Sequence, residues 1–168
     1  MHSPIIIEDF LSVDECSWWI NFHKEHYESL GEEFYGTHIL DLYDTTVDFY
    51  KKDQQASSDP IKYMYARLSA HIGTLDKYAY PNYSQVVVWP EGSKQQRHLD
   101  LPFHVYTSII YLNDNFEGGN TRVDDFEIIP KTGKLITFKG NDILHEVLTI
   151  TKGNRWTLPT WYKSYSVV

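Results

Sequence analysis

The chain has 168 residues, enough for one domain with a sizeable core and too few for two comfortable ones. Its formal net charge of −8 argues against a general electrostatic grip on nucleic acid or on an anionic membrane. Cys16 is the single cysteine, and no apolar run is long enough to span a bilayer or preceded by a basic leader, so a cytoplasmic protein with no membrane association is expected.

Taken in chain order, Pro4 to Phe10 reads as a short strand. Ser12 then caps a helix, and Glu15 three residues later has the spacing of a capping box, in which hydroxyl and carboxylate satisfy free amides at the helix start. This helix is predicted to run to about Ser29, turning Cys16, Trp19, Ile20 and Phe22 to a core and Lys24 and Glu25 to solvent. Cys16 reads as a small apolar filler. Residues 31–50 read as strands or loops around Gly36 and Asp44, and the polar stretch Lys51 to Ser58 as an exposed connection. Asp59-Pro60 opens a second helix, with Ile61, Met64, Leu68, Ile72 and Leu75 recurring at helical spacing as its buried stripe. His71 on that helix has no evident partner and reads as structural.

After Pro81-Asn82 the pattern changes to short β-branched and aromatic runs bounded by turn residues. Val86–Trp89, Tyr106–Tyr111, Phe126–Ile129, Leu135–Phe138, Val147–Ile150 and Trp156–Leu158 are predicted strands, with turns at Asn113–Asn115 and Gly118–Asn120. Such spacing fits an α+β protein whose strands close into a jelly-roll or barrel-like double sheet, with a site at its mouth.

Within those strands, His98-Leu99-Asp100 places an imidazole and a carboxylate one residue apart, on one face of an extended strand. With His145 they make two imidazoles and a carboxylate, the facial set that leaves half of an iron coordination sphere open. Arg155, ten positions after His145, supplies a permanent charge suited to clamping a carboxylate. Iron beside such a clamp suggests a small diacid that chelates the metal at one end and meets Arg155 at the other.

The ordered series Trp89-Pro90-Glu91-Gly92, His98-Leu99-Asp100, Tyr111-Leu112-Asn113-Asp114, Glu117-Gly118-Gly119-Asn120-Thr121, Pro130-Lys131-Thr132-Gly133, His145-Glu146-Val147, Gly153-Asn154-Arg155-Trp156 and Thr160-Trp161-Tyr162 covers about half of the chain. From about Tyr83 to Tyr162 it resembles the double-stranded β-helix (cupin-like) core of Fe(II)/2-oxoglutarate dioxygenases, prolyl 4-hydroxylase-like branch. The resemblance implies a single domain over 1–168, with 1–80 as helical support and lid region and 81–168 as catalytic core. It implies Fe(II) held by His98, Asp100 and His145, which are also the catalytic residues. It further implies 2-oxoglutarate held through Arg155 and Tyr111, with O2 as oxidant and ascorbate as an optional reductant. Trp89, Arg97 and Trp161 are candidate substrate contacts, residues 44–60 a candidate lid. The arginine at position 155, where collagen-type relatives use lysine, resembles the oxygen-sensing and bacterial members. Trp89 stands where many relatives carry tyrosine. His104 reads as a loop or surface histidine rather than a fourth ligand.

The activity implied is hydroxylation of a C–H bond with release of succinate and CO2, foremost on a prolyl residue of a peptide or protein. A hydroxylase of a free amino acid or small metabolite is the alternative, and a β-sandwich module holding a structural metal is a further one. Open coordination positions disfavour the last, since structural sites are closed. A nucleobase demethylase is disfavoured by the acidic balance and by Trp161 standing where a second arginine is common.

Overall fold

Residues 3–42 and 58–166 are described by a computed structural model of the protein. Helix α1 (Val13–Leu30) begins as its sequence dictates. Ser12 Oγ accepts from the Glu15 amide at 3.1 Å, while Glu15 Oε1 accepts from the Ser12 amide at 3.0 Å. It buries Cys16, Trp19 and Phe22, and also His23, while Ile20 is half-buried. Helix α2 (Ser58–Leu75) buries Ile61, Met64, Leu68 and Ile72. Pro60 falls in its first turn, where amides have no intrahelical acceptor and a missing N–H costs nothing. Glu15 on α1 pairs with Arg67 on α2 and ties the two helices together. Of the expected lid over 44–60, residues 44–57 lie outside the described residues.

Thirteen strands are present among the described residues, and every pairing is antiparallel. The larger sheet runs in the order β1 (Ile5–Ile7), β10 (Leu135–Phe138), β6 (Tyr106–Tyr111), β13 (Arg155–Ser164), β4 (Ala79–Trp89), β3 (Thr37–Asp41) and β2 (Glu32–Phe34). The smaller one has the order β5 (Gln95–His98), β11 (His145–Val147), β8 (Thr121–Val123) and β9 (Phe126–Ile128). Strands β7 (Glu117–Gly118) and β12 (Ile150–Lys152) form a separate pair. This is the jelly-roll architecture expected, with the helices stacked on the larger sheet.

The side-chain period of two divides the interior into two cores. Ile110, Leu112, Leu135 and Leu158 point to the helices and join Trp19, Leu68 and Ile72. Their neighbours Ile109, Tyr111 and Ile136 point to the smaller sheet and join Val123, Phe138 and Ile143. With both faces covered, β6 and β10 are buried along nearly their whole length rather than at alternate positions.

The N-terminal half supplies three strands of the larger sheet beside its helices: β1 falls in the strand expected over Pro4–Phe10 and completes one edge against β10, while the β2–β3 hairpin, within 31–50, completes the other. Two differences from the sequence reading have physical causes. The run predicted as one strand over Val147–Ile150 divides, since Val147 pairs with β8 while Ile150 pairs with β7. His71 does have a partner: its Nε2 lies 2.8 Å from Thr137 Oγ1 on β10.

Burial lowers the pKa of His71, and that of His23 as well, against the ordinary 6.5. The unfolded chain therefore binds more protons just below that value, so these two residues favour the fold above it and the benefit is lost as pH falls. Replacing His71→Gln should make the loss of urea midpoint between about pH 7.5 and about pH 5.5 shallower than in the unaltered protein.

Candidate metal centre

Strand β5 ends at His98, and its antiparallel partner β11 begins at His145, directly opposite in register. The long stretch between the two histidines is thus closed by a single cross-strand pair, with ring centroids 4.3 Å apart. Asp100 follows just beyond β5, where its amide donates to the Gly140 carbonyl at 2.8 Å. One ligand atom from each of His98, Asp100 and His145 lies within 4.8 Å of the others. Asp100 Oδ1 is 3.5 Å from His98 Nε2 and 3.3 Å from His145 Nε2.

Tautomers follow from the partners. His98 Nδ1 lies 2.8 Å from the Gln96 carbonyl and His145 Nδ1 2.9 Å from the Ile143 carbonyl. A carbonyl only accepts, so both Nδ1 atoms carry hydrogen and both Nε2 atoms face the carboxylate, donating to it when protonated and offering a lone pair to a metal when not. Backbone carbonyls of this kind fix ring orientation in metal-binding histidines. The hydrogen bond to Asp100 raises the His98 pKa. Burial works to raise that of Asp100, but hydrogen bonds from His145, His98 and Thr107 outweigh it and hold the carboxyl well below its usual range. The donor set suits a divalent transition metal with open positions.

Arg155 opens β13 opposite Trp89 on β4 and is 1% exposed. Its guanidinium donates to Thr121 Oγ1 at 3.0 Å, lies 5.0 Å from the Trp89 ring and 5.5 Å from the Tyr111 ring, and leaves Nε without a partner among the described residues. No carboxylate pairs with it among them. Tyr111 is fully buried, and its hydroxyl meets the same Thr121 oxygen. Burial raises the Tyr111 pKa and lowers that of Arg155. Gly119 has φ of +68°, and a Cβ there would lie 3.1 Å from Arg155 Cδ. Glycine therefore serves both the turn and the approach to the guanidinium.

A cavity of about 470 Å³ includes the three clustered residues and Arg155 in its wall. Trp89 and Trp161 line it, and Trp89 Nε1 donates to Thr157 Oγ1 at 3.2 Å. Arg97 lies outside the wall: strand alternation turns it away from His98, toward the Asp124 carbonyl at 3.1 Å and Glu146 at 3.8 Å. His104 stands in the loop after Asp100 and outside the cluster of potential ligands, as expected, but it is buried in the cavity wall, with Nε2 3.3 Å from Asn82 Nδ2. Thr107, Thr121 and Gly140 contact site residues, yet carry no sequence signal beyond lying in a strand or turn.

The family model of the 2OG-Fe(II) oxygenase superfamily matches residues 83–163, the stretch that carries all three clustered residues and Arg155. That stretch is similar to the superfamily, whose members use Fe(II), 2-oxoglutarate and O2. Among curated relatives, human prolyl 3-hydroxylase 2 is 37% identical over 68 residues, covering 36% of this chain and 10% of that protein. Chicken prolyl 3-hydroxylase 1 is 32% identical over the same length, covering 36% of this chain and 9% of that protein. The chain thus spans about a tenth of the length of these relatives. A Pseudomonas putida prolyl-4-hydroxylase superposes with TM-score 0.77 at 19% identity, covering 98% of this chain and 94% of that one. A Trichoplax adhaerens prolyl hydroxylase, solved with a hypoxia inducible factor oxygen degradation domain peptide fragment, gives 0.75 at 21%, covering 99% and 86%. Among the described residues, no helix is long and apolar enough to cross a membrane.

Substituting alanine for His98, Asp100 or His145 removes one of three converging donors. Anaerobic titration with Mn(II), read by electron paramagnetic resonance of the free ion, should show affinity reduced by at least about 100-fold in each variant.

Proposed function

We propose that the protein is an Fe(II)- and 2-oxoglutarate-dependent dioxygenase that hydroxylates a C–H bond, foremost of a prolyl residue in a peptide or protein. In this reading 81–168 is the catalytic core and 1–80 supports it. The observation that carries the proposal is the buried Arg155, with Nε unpartnered and no carboxylate paired with it among the described residues, in the wall of the cavity that also holds His98, Asp100 and His145. A buried cation without a counter-charge is costly, and a carboxylate arriving from solution would relieve that cost.

His98 and His145 would hold Fe(II) through Nε2 and Asp100 through a carboxylate oxygen. Bound Fe(II), with 2-oxoglutarate and O2, supplies oxidative decarboxylation to succinate and CO2 coupled to insertion of one oxygen atom into a substrate C–H bond. The chain's own residues do the positioning. Arg155 fixes the distal carboxylate of the cosubstrate, and Thr121, already accepting from Arg155 and touching Tyr111, sets the direction of the clamp. Trp89 and Tyr111 flank the guanidinium and keep water from it. Trp161 and His104 wall the part of the cavity left for the substrate. Such work is orientation and exclusion of water, the protein's usual share in cofactor chemistry.

A peptide substrate is favoured by the prolyl 3-hydroxylase kinship and by apolar groups at the mouth, where Phe34 and Leu101 line the cavity yet are 57% and 56% exposed. Succinate release measured with prolyl peptides and, separately, with free amino acids separates this reading from the metabolite alternative. No consumption of 2-oxoglutarate under Fe(II) and O2 would favour the non-enzymatic module. Replacing Arg155→Met should raise KM for 2-oxoglutarate by roughly 10- to 100-fold, the weight of a hydrogen-bonded charge, with a smaller change in kcat.

A further inference from the structure

Asp100 offers its two carboxylate oxygens to different neighbours. Oδ1 faces both imidazoles, at 3.3 Å and 3.5 Å. Oδ2 accepts a hydrogen bond from Thr107 Oγ1. An ionised carboxylate has no proton to give, so the threonine hydroxyl must be the donor. Thr107 is buried on β6, opposite Phe138 on β10, and Gly140 lies two residues beyond that partner. The Asp100 amide donates to the Gly140 carbonyl, and a methyl group at position 140 would overlap both Asp100 Oδ2 and Thr107 Oγ1. Gly140 is not among the glycines with positive φ, so the backbone does not require glycine there. The space taken by the carboxylate and hydroxyl does.

We propose that Thr107 and Gly140 are a positioning pair that locks the Asp100 carboxylate in one rotation, presenting Oδ1 to the metal and withholding Oδ2. A carboxylate free to rotate could chelate with both oxygens and take an additional coordination position. That position is needed if a 2-oxo acid is to bind through two atoms and still leave room for O2. The hydroxyl occupies Oδ2 and the absent side chain at 140 lets the carboxylate sit flat against the turn. The larger sheet, through β6 and the turn after β10, thereby orients a ligand that the chain presents beside the smaller sheet. This rests on the metal-centre reading, and its test separates the two.

Metal binding is measured without turnover, by anaerobic Co(II) titration and the visible spectrum of the bound ion. Thr107→Val keeps the shape and removes the hydroxyl, while Thr107→Ser restores it. T107V should bind Co(II) 10- to 100-fold more weakly, the usual scale for an outer partner of a metal ligand, with a changed spectrum. T107S should resemble the unaltered protein, and Gly140→Ala should weaken binding as T107V does. Circular dichroism checks that each variant is folded, and if T107V is not, T107A against T107S gives the same comparison. Folded T107V with unaltered Co(II) affinity and spectrum would overturn the positioning role and leave Thr107 a structural residue. Failure of the unaltered protein to bind Co(II) would instead end the metal-centre reading itself.

Discussion

A guanidinium removed from water, with no carboxylate paired to it among the described residues, is the constraint around which the site is organised. Arg155 is among the largest fully buried side chains, held by one hydrogen bond to Thr121 and by the faces of Trp89 and Tyr111. Aromatic faces and a single hydroxyl offset part of the desolvation cost of a buried cation, not all of it. The remainder is a standing preference for an anion in the adjoining cavity. An anion entering that cavity would therefore find part of its binding energy already built into the fold.

The architecture places that preference beside the three converging ligand atoms by means of two strand pairs. Pairing of β5 with β11 sets His98 opposite His145, and pairing of β4 with β13 sets Trp89 opposite Arg155. One pair belongs to each sheet, so the distance between metal centre and clamp is fixed by how the sheets pack. The core of Ile109, Tyr111, Ile136 and Phe138 fills that interface. Tyr111 belongs to this core and to the surroundings of Arg155 at once, which links packing in the interior to the geometry of the proposed clamp.

Much of this was legible in the sequence because it depends on local spacing. The i, i+2 relation of His98 and Asp100, the Ser12–Glu15 box and the helical stripe of α2 each lie within a few residues. Less legible were contacts made only when distant strands pair. Thr107 meets Asp100, Thr121 meets Arg155 and His71 meets Thr137 through registers that no short motif specifies. Strand alternation turns Arg97 outward as spacing allows, but the turn after Asp100 folds His104 inward, and turn geometry is not read from a four-residue gap. The division of β11 from β12 reflects competition between β8 and β7 for one apolar run.

The central claim is that Arg155 awaits the far carboxylate of a 2-oxo diacid whose near end reaches the metal. Calorimetric titration of the Co(II)-loaded, oxygen-free protein with 2-oxoglutarate and with 2-oxobutyrate, which lacks the far carboxylate, tests it without any knowledge of the substrate. If Arg155 holds that carboxylate, 2-oxoglutarate binds much more tightly than 2-oxobutyrate, and the difference vanishes when Arg155 is replaced by methionine. Equal affinity for the two acids in the unaltered protein would contradict it.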